Sequence, residues 1–189
     1  MKILEFRYFS TEDDYDLQYN DGYCWSRVYE YKFVTDFLKN DLNIKNKKIH
    51  NSCWGWQGVH VTFKNNLESI CDNVISSDIK KSDLPNTTVY DITQDNDAFN
   101  NAFDYIINVS TLEEVQANHS DLIQKQLKHL KENGFLIITF DLPGLQLQNV
   151  ENLCNSKITQ SLTPLTNLNS VVQNKDLSLL NCGRLIIQK

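Results

Sequence analysis

Two short runs constrain this chain more than anything else in it. Phe103-Asp104-Tyr105-Ile106-Ile107-Asn108-Val109 and Phe135-Leu136-Ile137-Ile138-Thr139-Phe140 are almost continuously apolar, as strands buried on both faces must be. Between them, Leu122, Ile123, Gln126, Leu127 and Leu130 share one face of a helix. Lys128, His129 and Lys131 crowd the end of that helix, and Asn133-Gly134 supplies its stop. Strand, helix and strand in this order call for a right-handed crossover and a parallel sheet covered on both sides.

The same alternation runs through the rest of the chain. Lys48 to Cys53 reads as a short strand ending in a turn that holds Gly55 and Gly58, followed by a helical stretch to about Cys71. Asn73 to Ser77 is a second strand closing on Asp78, and Thr87 to Tyr90 a third closing on Asp91. A helix is expected over Leu147 to Leu153 and a final strand over Gly183 to Ile187. The expected fold is α/β, Rossmann-like: a mostly parallel, doubly wound sheet of about seven strands with flanking helices. A single domain is expected over 1–189, with the core at 44–189 and an N-terminal arm at 1–40. Within the arm, Met1 to Phe9 reads as a strand or an extended arm, Thr11 to Asn20 is acidic and Tyr-rich, and Ser26 to Leu38 carries helical spacing. The arm is expected to cover the ligand edge, where the strands end near the switch point of the sheet.

Composition disfavours several classes of function. With 189 residues, 41% of them hydrophobic and 22% charged, the chain can bury a core. A net charge of −6 lacks the basic footprint that a nucleic-acid or anionic-membrane partner needs. No apolar run reaches the ~18–20 residues that cross a bilayer, and Met1 to Arg7 is too charged for a secretory leader. Cys24, Cys53, Cys71, Cys154 and Cys182 are scattered and odd in number, without a CxxC pair. A disulfide scaffold or zinc site is not expected, and the reducing cytoplasm is.

From Lys47 to Pro143, about half of the chain, the order of features resembles the class I S-adenosylmethionine-dependent methyltransferases. That family's first strand ends in an acid followed by a Gly-x-Gly-x-Gly turn. Here Asn51 stands in place of the acid, Cys53 replaces the first glycine, Gly55 is kept, and Gly58 lies one place beyond the expected position. Asp78 matches the acid that accepts both ribose hydroxyls, a task for which a carboxylate is suited. Asp91-Ile92 matches the segment near the adenine amino group, with Asp95 and Asp97 as alternatives. Phe103 to Val115 resembles the fourth strand and its loop, which includes Asn108, and Glu114 takes the place of a histidine common in that loop. Leu130 to Thr139 is similar to the helix end, turn and fifth strand. A fainter likeness, Arg27-Val28-Tyr29-Glu30-Tyr31, recurs in small methyltransferases found with glycan- and capsule-building enzymes.

The resemblance implies S-adenosylmethionine as cofactor, with Asn51, Cys53, Gly55, Gly58, Asp78, Asp91, Ile92 and Asn108 binding it. It implies methyl transfer to a small-molecule acceptor such as a sugar hydroxyl, with Glu114 and Asp141 as candidate bases and no metal. Trp54 and Trp56 divide between packing and walling a pocket, and His60 lies one turn into the following helix. His50 sits within a strand, whereas His119 and His129 read as surface residues. The tyrosines of the arm are read mainly as packing. A catalytically inactive binding or partner subunit of the same fold is the rival reading, and a nicotinamide oxidoreductase the third. Assembly as a homodimer stays open.

Overall fold

A computed structural model describes residues 1–20, 26–141, 146–155, 163–164, 179–180 and 182–189. Its elements, in chain order, are β1 (Lys2–Tyr8), α1 (Arg27–Lys39), β2 (Lys48–Ser52), α2 (Val59–Ile70), β3 (Asn73–Asp78), β4 (Thr87–Val89), β5 (Phe103–Val109), α3 (His119–His129), β6 (Leu130–Asp141), α4 (Leu147–Cys154), β7 (Thr163–Pro164), β8 (Leu179–Leu180) and β9 (Cys182–Gln188). Seven strands form one sheet in the order β1-β9-β6-β5-β2-β3-β4, and β7 pairs with β8 separately. Strands β4, β3, β2, β5 and β6 are parallel, while β9 runs antiparallel to both β6 and β1. This is the expected Rossmann-like, mostly parallel arrangement with helices on both faces.

The chain winds outward from β2 through β3 to β4, then returns to place β5 on the other side of β2. The switch point therefore lies between β2 and β5, where the crossovers diverge and leave a crevice at the carboxyl ends. One layer of core packs α1 and α2 on the sheet through Val28, Val34, Leu38, Phe63 and Leu67, against Ile49, Ile107 and Ile137. The opposite layer seats Leu122, Ile123 and Val150 on Ile106, Leu136, Ile138 and Ile187. Alternation along β5 and β6 explains this division, since neighbouring side chains of a strand face opposite layers.

Within the N-terminal arm, Lys2–Tyr8 form β1 at the sheet edge beyond β9, and α1 brings Arg27 and Tyr31 to the crevice. Two details depart from the sequence reading. Asn133-Gly134 does not stop α3: the helix gives way at Leu130, and both residues lie inside β6, Asn133 with φ +63. A Cβ on Gly134 would stand 2.9 Å from the Asp104 carbonyl oxygen, so the close strand approach there requires glycine. His119 and His129 are buried, not surface residues. His119 Nδ1 accepts the Gln146 N–H at 2.9 Å, and His129 packs edge-on to Phe99.

Candidate functional site

The turn after β2 sets the shape of the site. Cys53, Gly55, Trp56 and Gly58 all take positive φ, at +55°, +83°, +52° and +57°. Two non-glycine residues thus adopt the left-handed conformation that glycine favours, at about 1–2 kcal/mol each. The backbone follows a glycine-rich path although only Gly55 and Gly58 are glycines. A Cβ on Gly55 would lie 2.6 Å from the His60 ring, so this glycine is required by space as well as by φ. Gly58 faces open space and serves as the N-cap of α2.

Asp78, at the end of β3, holds the turn from below. Its Oδ2 accepts the Gly55 N–H at 3.3 Å and its Oδ1 the Lys80 N–H at 3.0 Å. An ionised carboxylate has about four acceptor positions, so two N–H groups leave room for two hydroxyls. Trp54 N–H reaches the Ser77 carbonyl at 3.1 Å, and its buried indole walls the crevice. Trp56 turns outward, with Lys80 Nζ 4.4 Å from its ring centroid. Both packing and pocket wall fall to Trp54, and neither to Trp56.

A cavity of about 140 Å³ opens at the switch point. It is lined by Asn51, Cys53, Trp54 and Gly55 from β2 and its turn, Val109, Ser110 and Thr111 from the end of β5, His60 from α2, and Arg27 and Tyr31 from α1. Asn51 donates its amide to Ser76 Oγ at 3.3 Å and offers the cavity an uncharged acceptor. The Tyr31 hydroxyl meets His60 Nδ1, and the Tyr31 ring stacks on Phe63 at 4.0 Å. Burial pushes the Cys53 thiol up to about 12, against the pull of its Ser52 bond, so this cysteine is no nucleophile.

The other expected residues surround this cavity at different depths. Asp91 is partly exposed, and its Oδ1 accepts both the N–H and the hydroxyl of Thr93, bonds that lower its pKa. Ile92 is buried in the α3 layer. Asn108 is fully buried on β5, and neither its Oδ1 nor its Nδ2 has a partner. Glu114 is exposed, on the short turn Leu112–Glu114 after β5. Glu113 is the acid of that turn that points inward, where its Oε1 accepts the Asp141 N–H at 2.6 Å. Asp141 ends β6 beside it; the following residues 142–145, which include Leu142-Pro143-Gly144, lie outside the described residues.

A buried ionic unit borders the cavity at Arg27 and Ser110. Arg27 pairs with Glu30 one helical turn away, and Glu30 also accepts the Ser110 hydroxyl. Burial alone would lower the Arg27 pKa, but Glu30, Tyr31 and Asp141 outweigh it and hold the guanidinium charged. Asp141 is pushed up to about 7 by burial and by Glu30, against Arg27 and Ser26. Glu113 rises to about 8 by burial first, with Asp141 and Glu30 adding to it. The faint Arg-x-x-Glu-Tyr likeness carried Arg27, Glu30 and Tyr31 to this place, whereas nothing in the spacing singled out Glu113 or Ser110.

Buried polar atoms are paired in the great majority of folded proteins, so exceptions mark places built for something else. Here the unpaired ones include Arg27 Nε, Trp54 Nε1, both amide atoms of Asn108, Glu113 Oε2, Thr139 Oγ1 and Asp141 Oδ1. These belong to the start of α1 or to the carboxyl ends of β2, β5 and β6 and the turns that follow them, while the Gln126 amide and His129 Nδ1, on α3, are unpaired away from that end. That end of the sheet offers donors and acceptors that the fold itself leaves unused. Among the described residues, no group of three or more His, Cys, Asp or Glu is placed to hold a metal ion. No described helix is long and apolar enough to cross a membrane.

No family model matches the sequence, and no curated protein does. Solved structures do match the fold. An S-adenosylmethionine-dependent methyltransferase from Mesorhizobium loti superposes with a TM-score of 0.56 at 10% identity, over 82% of this chain and 96% of that one. The carbon methyltransferase DszA gives 0.56 at 14% identity, over 84% and 52%. The trans-methyltransferase CalH, in complex with SAH, gives 0.54 at 12%, over 88% and 57%. This chain spans nearly the whole of the first and little more than half of the other two. At these identities the likeness establishes the fold: a class I methyltransferase-type Rossmann-like sheet.

Proposed function

We propose that this chain binds S-adenosylmethionine in the crevice between β2 and β5 and transfers its methyl group to a small-molecule acceptor. The observation that carries the reading is the gathering of unpaired buried polar atoms around a glycine-type turn at the switch point. The residues present fit the cofactor. Gly55 permits the close approach, Asp78 keeps acceptor positions for ribose hydroxyls, and Asp91 and Ile92, which follow β4, are the proposed adenine contacts. Asn51, Cys53, Gly58 and Asn108 complete the proposed binding set. When bound, the cofactor supplies a methyl carbon made electrophilic by its sulfonium.

The protein's own part is alignment and proton handling. Tyr31, fixed by His60 and Phe63, and Arg27, fixed by Glu30, bring α1 over the crevice and exclude water from it. Holding an acceptor in line is worth on the order of 7–11 kcal/mol of barrier. For a hydroxyl acceptor, the candidate bases are the partly buried Asp141 and the exposed Glu114, of which we favour Asp141, and removing the proton adds roughly 10²–10⁴-fold. A sugar hydroxyl is the acceptor suggested by the Arg27-Glu30-Tyr31 likeness. The scattered cysteines support the cytoplasm as the site of action. One observation favours the rival, non-catalytic reading: Asn51 offers no charge where the family's turn offers an acid.

Titration with S-adenosylmethionine and S-adenosylhomocysteine, with NAD as control, tests the proposal. Binding of the first two that weakens about tenfold in Asp78→Ala supports it; binding unaffected by that substitution, or binding of NAD alone, overturns it.

A further inference from the structure

The cavity at the switch point offers donors and no acid. Among the described residues no aspartate or glutamate lines it, and Asn51 stands uncharged on its β2 wall. Arg27 brings a guanidinium to it from α1. Glu30, the partner of that guanidinium, is fully buried and does not line the cavity; its two oxygens are taken up by Arg27 Nη1 and the Ser110 hydroxyl. Asp141, the other acid that acts on Arg27, does not line it either. The ion pair therefore presents its cationic member to the cavity. Two N–H groups of the lining residues are also unused. Arg27 and Trp54 are only 8% and 3% exposed, yet Arg27 Nε and Trp54 Nε1 have no partner. Neither side chain can accept a hydrogen bond, and a buried donor left unpaired is costly. A ligand group that satisfies both must accept, and beside a guanidinium an anion does so best. A carboxylate has two oxygens for two donors that come from different elements, α1 and the turn after β2. The net charge of −6 on the chain acts from a distance and is screened by salt, whereas the lining acts at contact.

We propose that this cavity is a carboxylate subsite in which Arg27 Nε and Trp54 Nε1 anchor the methyl acceptor, and that the acceptor is a small carboxylic acid. This rests on the cofactor reading above and names the substrate class for it. At about 140 Å³ the cavity admits a carboxylate with its first carbons. One donor comes from the helix laid over the crevice and the other from the turn that borders the cofactor, so the subsite lies where acceptor and cofactor meet. S-adenosylmethionine has a carboxylate of its own, and the experiment must tell the two sources apart.

Acetate is the probe, followed through the side-chain N–H signals of the full chain in nitrogen–proton NMR spectra, with acetamide as its neutral analogue. We expect millimolar acetate to move the Trp54 indole signal along a saturating curve and to leave that of the exposed Trp56 in place, while acetamide moves neither. Arg27→Lys keeps a cation beside Glu30 but removes Nε, and should weaken acetate about tenfold at the Trp54 signal. Trp54→Phe keeps a ring, assigns the indole signal, and should weaken acetate by the same factor at the Arg27 Nε–H signal; either variant serves if the other folds poorly. No shift at Trp54, an equal response to acetamide, or unchanged affinity in a folded variant would overturn the subsite. The titration is then repeated on protein saturated with S-adenosylhomocysteine, where we expect acetate still to bind. Exclusion of acetate by that ligand would overturn the assignment to the acceptor; if 5′-methylthioadenosine, which lacks the amino-acid end, leaves acetate bound, the carboxylate received is the cofactor's own. Failure of S-adenosylhomocysteine to bind the wild type would sink the cofactor reading and the acceptor assignment with it, whatever acetate does on the free chain.

Discussion

Alanine at Gly55 probes the site at its tightest point. The new Cβ would meet the His60 ring at 2.6 Å on a backbone held at φ +83°. We expect a stability loss of about 1–2 kcal/mol from the backbone alone. Loss of S-adenosylhomocysteine binding should exceed tenfold, because moving His60 also moves Tyr31; unchanged affinity would show that the turn does not border the ligand. Replacing Arg27 by Met leaves Glu30 buried without its cation and should cost about 3–5 kcal/mol in chemical denaturation. A loss under 1 kcal/mol would contradict a buried ion pair that depends on both partners. At this scale the sequence was partly legible. Asp78 and Gly55 stand where strand ends and a turn demand them. That Cys53 and Trp56 take left-handed φ is invisible in their identities, since only the closed turn imposes it. Which of Glu113 and Glu114 faces inward depends on a single short turn, and no periodicity records it.

Among the elements, α1 and α2 carry the cavity wall together. Tyr31 and Phe63 stack with an interplanar angle of 10°, and Tyr19 packs edge-on to both. Phe63→Ala should therefore cost about 3–5 kcal/mol and weaken ligand binding in parallel. A stability loss without any change in affinity would separate the helix packing from the site. The amphipathic spacing of Val28, Tyr31, Val34 and Leu38 made α1 readable, and the apolar runs did the same for β5 and β6. The place of β1 was not readable. Its partner, β9, is contributed by the last residues of the chain, and local pattern carries no record of so distant a pairing. Asn133-Gly134 misled for a related reason: a turn-forming pair looks the same whether it ends a helix or bends a strand.

For the molecule as a whole, the buried titratable groups make stability depend on pH. Burial, and then His129, pushes His50 down to about 3, and burial lowers His119 and His129 as well. Their folded pKa values lie below the unfolded value of about 6.5, so the unfolded chain binds more protons and stability is lost as pH falls below that value. Asp141 and Glu113 have the opposite sign. Raised to about 7 and about 8, they bind more protons in the folded state, and stability is lost as pH rises from about 4 towards those values. The two sets oppose each other below pH ~6.5, and above it only the acids act, so stability declines from about pH 6.5 towards pH 8. Denaturation midpoints measured across pH test this, and Glu113→Gln should flatten the decline on the alkaline side; a maximum that stays above pH 8 would contradict the burial of the pair. The central claim is more directly tested by one titration of the wild-type chain with S-adenosylhomocysteine in the calorimeter. The account predicts a single site of micromolar affinity, about −8 kcal/mol, lost in Gly55→Ala. No heat at millimolar ligand, or equal binding by that variant, would contradict it.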